Sequence, residues 1–183
     1  MREVDCRVQV RRRVFLRGAA TAVPAAALAA GGMGISAQAA WAEGAETLKP
    51  HTMATLVLMA RDIYPHDQVA DVYYIKAVQP YDAKAGKDAK FRELIEQGVV
   101  RLDGDSQDRY KHAYLDVPSE SERLVVLQGM TETPFFNKVR SDLVVSLYNQ
   151  HDLWRIFGYE GSSFEYGGYI NRGFNDIDWL PKV

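Results

Sequence analysis

Apolar residues return at helical spacing along most of the chain, and the strict alternation of a half-buried strand is nearly absent. Leu56, Met59, Ala60 and Ile63 mark a helix over residues 48–64, stopped by Pro65. Val72, Ile75 and Val78 share a stripe that puts a second helix on residues 69–78, with Pro80 beyond its end. Phe91, Leu94, Ile95, Val99 and Leu102 give the longest helical stretch, within residues 87–115, with a bend expected near Gly98 or Gly104. Pro118 and Ser119 open a short fourth helix, where Ser119 and Glu122 have the spacing of a capping box ahead of Leu124, Val125 and Leu127. Thr133 and Pro134 start a fifth, which continues through Phe136, Val139, Leu143, Val144 and Leu147. The expected fold is all-α: a compact bundle of about five helices over residues 43–157.

The pattern changes over residues 158–183, which hold five glycines and six large aromatics: Tyr159, Phe164, Tyr166, Tyr169, Phe174 and Trp179. Glycine at this density opposes a stable helix, while each buried ring is worth about 1.5–3 kcal/mol. An irregular aromatic arm of this kind has to lie on something. It either coats its own bundle or, as aromatic residues are enriched at the centres of interfaces, lies on a partner. On the second reading the six aromatics are the anchors, with Arg155 and Arg172 at the rim.

The first 42 residues read as an export signal rather than as part of the fold. They have a basic start, an uncharged small-residue middle over residues 18–42, and an Ala-x-Ala end. Within the basic part, Arg12 and Arg13 are followed by Val14, Phe15 and Leu16, the arrangement a twin-arginine receptor reads; Arg12, Arg13, Phe15 and Leu16 are the export-signal residues. Twenty-five uncharged residues are also long enough to span a bilayer, but Ala, Gly and Pro24 give them little hydrophobic drive into lipid. Two cleavage sites compete. One is Ala37-Gln38-Ala39 before Ala40, the other Ala40-Trp41-Ala42 before Glu43, and the sequence does not choose between them.

Without this segment, 16 basic residues face 22 acidic ones, a net charge near −6. That balance argues against nucleic acid as a partner, since phosphate binding needs clustered Lys and Arg. Cys6, the sole cysteine, lies inside the signal, so the exported part has no thiol for a disulfide, a thiolate nucleophile, an iron–sulfur cluster or covalent haem attachment. His51, His66, His112 and His151 are not paired at metal-ligand spacing. Asp103, Asp105 and Asp108 lack the spacing and closing Glu of an EF-hand, and read as a solvated helix break. Neither a nucleophile elbow nor a glycine-rich phosphate or dinucleotide loop is present. The expectation is a chain with no catalytic residue, cofactor site or metal site of its own.

Three stretches then stand out together: Arg12-Arg13-Val14-Phe15-Leu16, Ala60-Arg61-Asp62-Ile63-Tyr64-Pro65-His66-Asp67, and Trp154-Arg155-Ile156-Phe157-Gly158-Tyr159-Glu160-Gly161. They resemble the small, non-flavin subunit of bacterial gluconate 2-dehydrogenase complexes, the subunit 3 family, at its signal, at a helix ending in Ile-x-Pro and at a Trp-x-x-x-Gly-Tyr-x-Gly turn. The chain departs from that pattern in its long aromatic tail and in Tyr73, Tyr74 and Tyr81. The resemblance implies a helical accessory subunit, periplasmic and peripheral to the inner membrane, that binds a large FAD-dependent dehydrogenase of the glucose–methanol–choline type. It further implies export of the pair by the twin-arginine translocase, and a multihaem cytochrome c subunit that receives the electrons. Two other readings stand beside it: a stand-alone periplasmic sugar-binding protein whose aromatic arm stacks on a sugar ring, and a small enzyme using His66, Asp67, His112 and His151.

Overall fold

The computed structural model describes Ala42 and residues 44–170, all within one compact unit, Met33–Val183. Arg12, Arg13, Phe15, Leu16, Arg172, Phe174 and Trp179 lie outside the described residues. The described part is all-helical, with no strand. Six helices have eight residues or more, one more than the apolar pattern predicts: α1 Pro50–Ile63, α2 Asp71–Val78, α3 Pro80–Lys87, α4 Ala89–Tyr110, α5 Glu120–Gln128 and α6 Pro134–Tyr148. A single turn, α7 His151–Trp154, and 3₁₀ turns at Tyr114–Asp116 and Ser163–Tyr166 complete the order.

The additional helix is α3. Pro80 reads as a terminator in the sequence, but proline at the first position of a helix loses no hydrogen bond and brings a helical φ. Gln79 keeps helical angles, so it closes α2 and opens α3 in one residue.

Nine of the fourteen residues of α1 are buried, on all sides of the helix, which makes it the central rod of the bundle. It packs against α2, α4, α5 and α6 and against the first 3₁₀ turn. Leu56, Met59 and Ala60 are buried as their spacing predicts. In α2 the buried face is Tyr74, Ala77 and Val78, while Val72 is 49% exposed. Tyr74 displaces it because its ring goes into the core and its hydroxyl still finds an acceptor, donating to the Tyr64 carbonyl at 2.6 Å.

Helix α4 runs without a break through both Gly98 and Gly104. Asp103 is not a solvated break either: its carboxylate accepts the Tyr114 N–H at 3.0 Å and lies 2.6 Å from His51 Nε2. Gly98 is there for close approach. A Cβ on it would sit 2.1 Å from the ring of Phe135, so α6 rests directly on the α4 backbone at that point.

The helix starts obey local chemistry unevenly. Asp88 accepts from the N–H groups of Lys90 and Phe91 to cap α4, and Thr133 accepts from Phe136 N–H to cap α6. The capping box expected at α5 is not formed, because the Ser119 hydroxyl bonds the Ser121 hydroxyl at 2.8 Å instead.

Candidate partner-binding surface

The segment that resembles a family helix end, residues 60–67, ties the bundle together. Arg61 donates to the Val69 carbonyl at 3.1 Å and to Asp71 at 2.8 Å. Asp62, buried on α1, accepts from the Tyr114 hydroxyl and from Arg123 Nε and Nη2, and Arg123 Nη1 reaches the Val117 carbonyl at 2.9 Å. Burial and then the neighbouring Asp62 charge push the Tyr114 phenol far up from its ordinary range, so it stays a donor. The hydrogen bond to Asp62 raises the Arg123 guanidinium further. These groups are fully used in holding α1, α5 and the first 3₁₀ turn together.

His66 stands at the edge of an aromatic stack. Its Nε2 lies 2.6 Å from the Tyr148 hydroxyl, and its ring meets Phe157 at a centroid distance of 4.9 Å. Burial, followed by the nearby Arg61 charge, lowers its pKa and favours the neutral ring. Phe157 and Tyr148 are themselves 5.5 Å apart, so this stack fastens the root of the C-terminal arm to the end of α6.

From that root the chain reverses. Gln150 donates to the carbonyls of Tyr73 and Ser146, Leu153 is buried, and Trp154 donates its indole N–H to the Tyr148 carbonyl at 2.9 Å. Tyr159 then packs edge-on against Trp154 at 5.2 Å, with its N–H on the Trp154 carbonyl at 2.8 Å. Gly161, at φ +109°, occupies a conformation a side chain rarely adopts, and a Cβ there would lie 3.5 Å from Trp154 and 3.6 Å from Tyr166. The result is an open groove of about 520 Å³, walled by Tyr73, Trp154 and Tyr159 and rimmed by Arg155, Glu160 and Glu165.

Beyond the groove the arm leaves the bundle. Phe164 is 89% exposed, Tyr169 65% and Ile170 81%; Tyr166 is also exposed. Of the six expected anchors, Tyr159 and Tyr166 line the groove on the bundle, while Phe164 and Tyr169 project into solvent beside it. Ile170 and Phe157 are exposed as well, and only their position beside the aromatics marks them in the sequence.

Among the described residues no three His, Cys, Asp or Glu side chains come together as a metal site. His112 is exposed at the end of α4 and His151 stacks on Trp154 at 4.0 Å, apart from the stack around His66. No helix among the described residues is long and apolar enough to cross a membrane. No protein-family model matches the chain, and no characterised protein or solved structure is similar to it, so the family resemblance stands on the three motifs.

Proposed function

We propose that this chain is the non-catalytic accessory subunit of an exported flavin dehydrogenase. It carries a large FAD-dependent subunit of the glucose–methanol–choline type across the inner membrane on its own twin-arginine signal, then stabilises and positions it in the periplasm. The substrate class is a sugar or sugar acid such as gluconate, and a multihaem cytochrome c subunit passes the electrons onward. The observation that carries the reading is the arm. Phe164, Tyr169 and Ile170 stand in solvent on a chain that reverses through Gly158, Gly161, Gly167 and Gly168, all at positive φ. Rings left outside a bundle whose own core is closed are what a protein interface uses. Export in the folded state suits a partner that must acquire its flavin before crossing, since a cofactor cannot be threaded with an unfolded chain.

A second reading has one observation in its favour. The groove beside Trp154 and Tyr159 has the aromatic walls and charged rim that a sugar ring can stack on, as a stand-alone binding protein requires.

One purification separates the two. The tagged full-length chain is expressed in its native host and recovered from the periplasm in mild detergent. The accessory-subunit reading expects a stoichiometric flavin-containing chain and gluconate- or sugar-dependent dye reduction. Recovery of the chain alone, with calorimetric binding of a sugar, would establish the second reading instead.

A further inference from the structure

We propose that the exported protein begins at Ala40, the signal being removed after Ala39 and not after Ala42; this rests on the reading of residues 1–42 as a cleavable signal. Both Ala-x-Ala sites satisfy the small-residue requirement equally, so the sequence leaves them level. The fold does not. Ala42 is 1% exposed and belongs to the hydrophobic core, together with Leu48 and Met53. Its carbonyl accepts the Ala45 N–H at 3.1 Å. The three N–H groups of Glu46, Thr47 and Leu48 are held by the two oxygens of Asp82, at 3.0, 3.0 and 2.8 Å. Burial raises the pKa of Asp82, but those three donors outweigh it and the net shift is downward, so the clamp is a charged one.

A signal peptidase reads the residues before the scissile bond in extended form, with the small side chains seated in its own pockets. Cleavage after Ala42 would need that residue drawn out of the core and its turn opened, within four residues of the Asp82 clamp. The twin-arginine route delivers the domain already folded, so the protease meets the strap in place. Accessibility to proteolysis follows the burial and hydrogen bonding of the backbone concerned. A cut after Ala39 leaves Ala42 and its contacts intact, and Ala42 remains as part of the finished core.

Intact-mass measurement and N-terminal sequencing of the periplasmic full chain test this directly. The expected N-terminus is Ala40. A terminus at Glu43, lighter by two alanines and one tryptophan, overturns the assignment while leaving the signal reading intact. A product that retains Met1 or Arg12 in the membrane fraction overturns the signal reading itself. The variant Ala39→Leu gives a second readout: precursor accumulates if Ala39 precedes the scissile bond, whereas processing at wild-type rate overturns the assignment.

Discussion

The Arg123 guanidinium closes on the Asp62 carboxylate through two hydrogen bonds, 2.7 Å from Nε and 2.8 Å from Nη2, across 61 residues of sequence. Both side chains are largely out of water, so removing one partner strands the other. Arg123→Leu is expected to destabilise the fold by about 3–5 kcal/mol. The triple variant Asp62→Leu, Tyr114→Phe, Arg123→Leu should regain part of that loss, because it removes the buried charges together and leaves only the Val117 carbonyl without its side-chain donor. Urea unfolding of the three proteins checks the pair; a cost below about 1 kcal/mol for the single variant would remove it from the account of stability.

Gly98 and Gly104 sit in the same helix and should respond in opposite directions. Gly98→Ala places a methyl inside the Phe135 ring and is expected to cost about 1–3 kcal/mol from overpacking. Nothing lies within 4 Å of a Cβ at Gly104, so Gly104→Ala is expected to raise stability by up to about 1 kcal/mol. Paired thermal melts decide it.

His66 ties stability to pH. Its folded-state pKa lies below the unfolded value near 6.5, chiefly through burial. Above about pH 6.5 the ring is neutral in both states and contributes no pH dependence. As pH falls below that value the unfolded chain takes up a proton that the folded one resists. Stability is therefore lost down to the folded pKa and then levels off. His66→Gln should flatten the fall of melting temperature as pH drops below about 6.5, relative to wild type. Equal slopes for both proteins would place the dependence on another group.

Truncation after Gly161 removes the exposed part of the arm. Helical circular dichroism is expected to be preserved and the unfolding free energy to change by less than about 1 kcal/mol, since rings already in water contribute little to folding. Co-purification of the dehydrogenase should be abolished. Retention of the partner at full affinity would move the interface to the helices.

Replacing Arg12 and Arg13 together by Lys is expected to hold the protein, and its partner's activity, in the cytoplasm. Fractionation of cells measures it. Normal export of the double variant, stopped only by a block of general secretion, would refute the twin-arginine routing.

The helices with a pure apolar stripe were legible in the sequence; the polar framework between them was not. Leu56, Met59 and Ala60 announce α1 because their burial needs nothing but hydrocarbon around them. Asp62 and Arg123 look in sequence like two exposed charges on apolar helices, and only the fold sets them opposite each other. Spacing puts Val72 on one stripe with Ile75 and Val78, yet Tyr74 takes the inside position, where the Tyr64 carbonyl accepts its hydroxyl. Pro80 carries the same ambiguity. The ring that ends one helix also begins the next, and local sequence does not say which. On the candidate surface, the aromatic anchors were legible as composition, while the reversal that brings Tyr159 onto Trp154 depends on φ angles that glycine permits without specifying.

Asp82 holds residues 46–48 by their main chain, so the fastening reads no side chain of the strap. The information for that junction is concentrated in one letter. Exposed Glu46 is free to drift to any amino acid that keeps its N–H, half-buried Thr47 is limited further by the close approach of Gly86, Leu48 is held by its burial as well, and proline is barred from all three. A saturation library read by soluble yield would show it as a flat profile at 46 with a single gap at proline, beside a sharp requirement for a short carboxylate at 82.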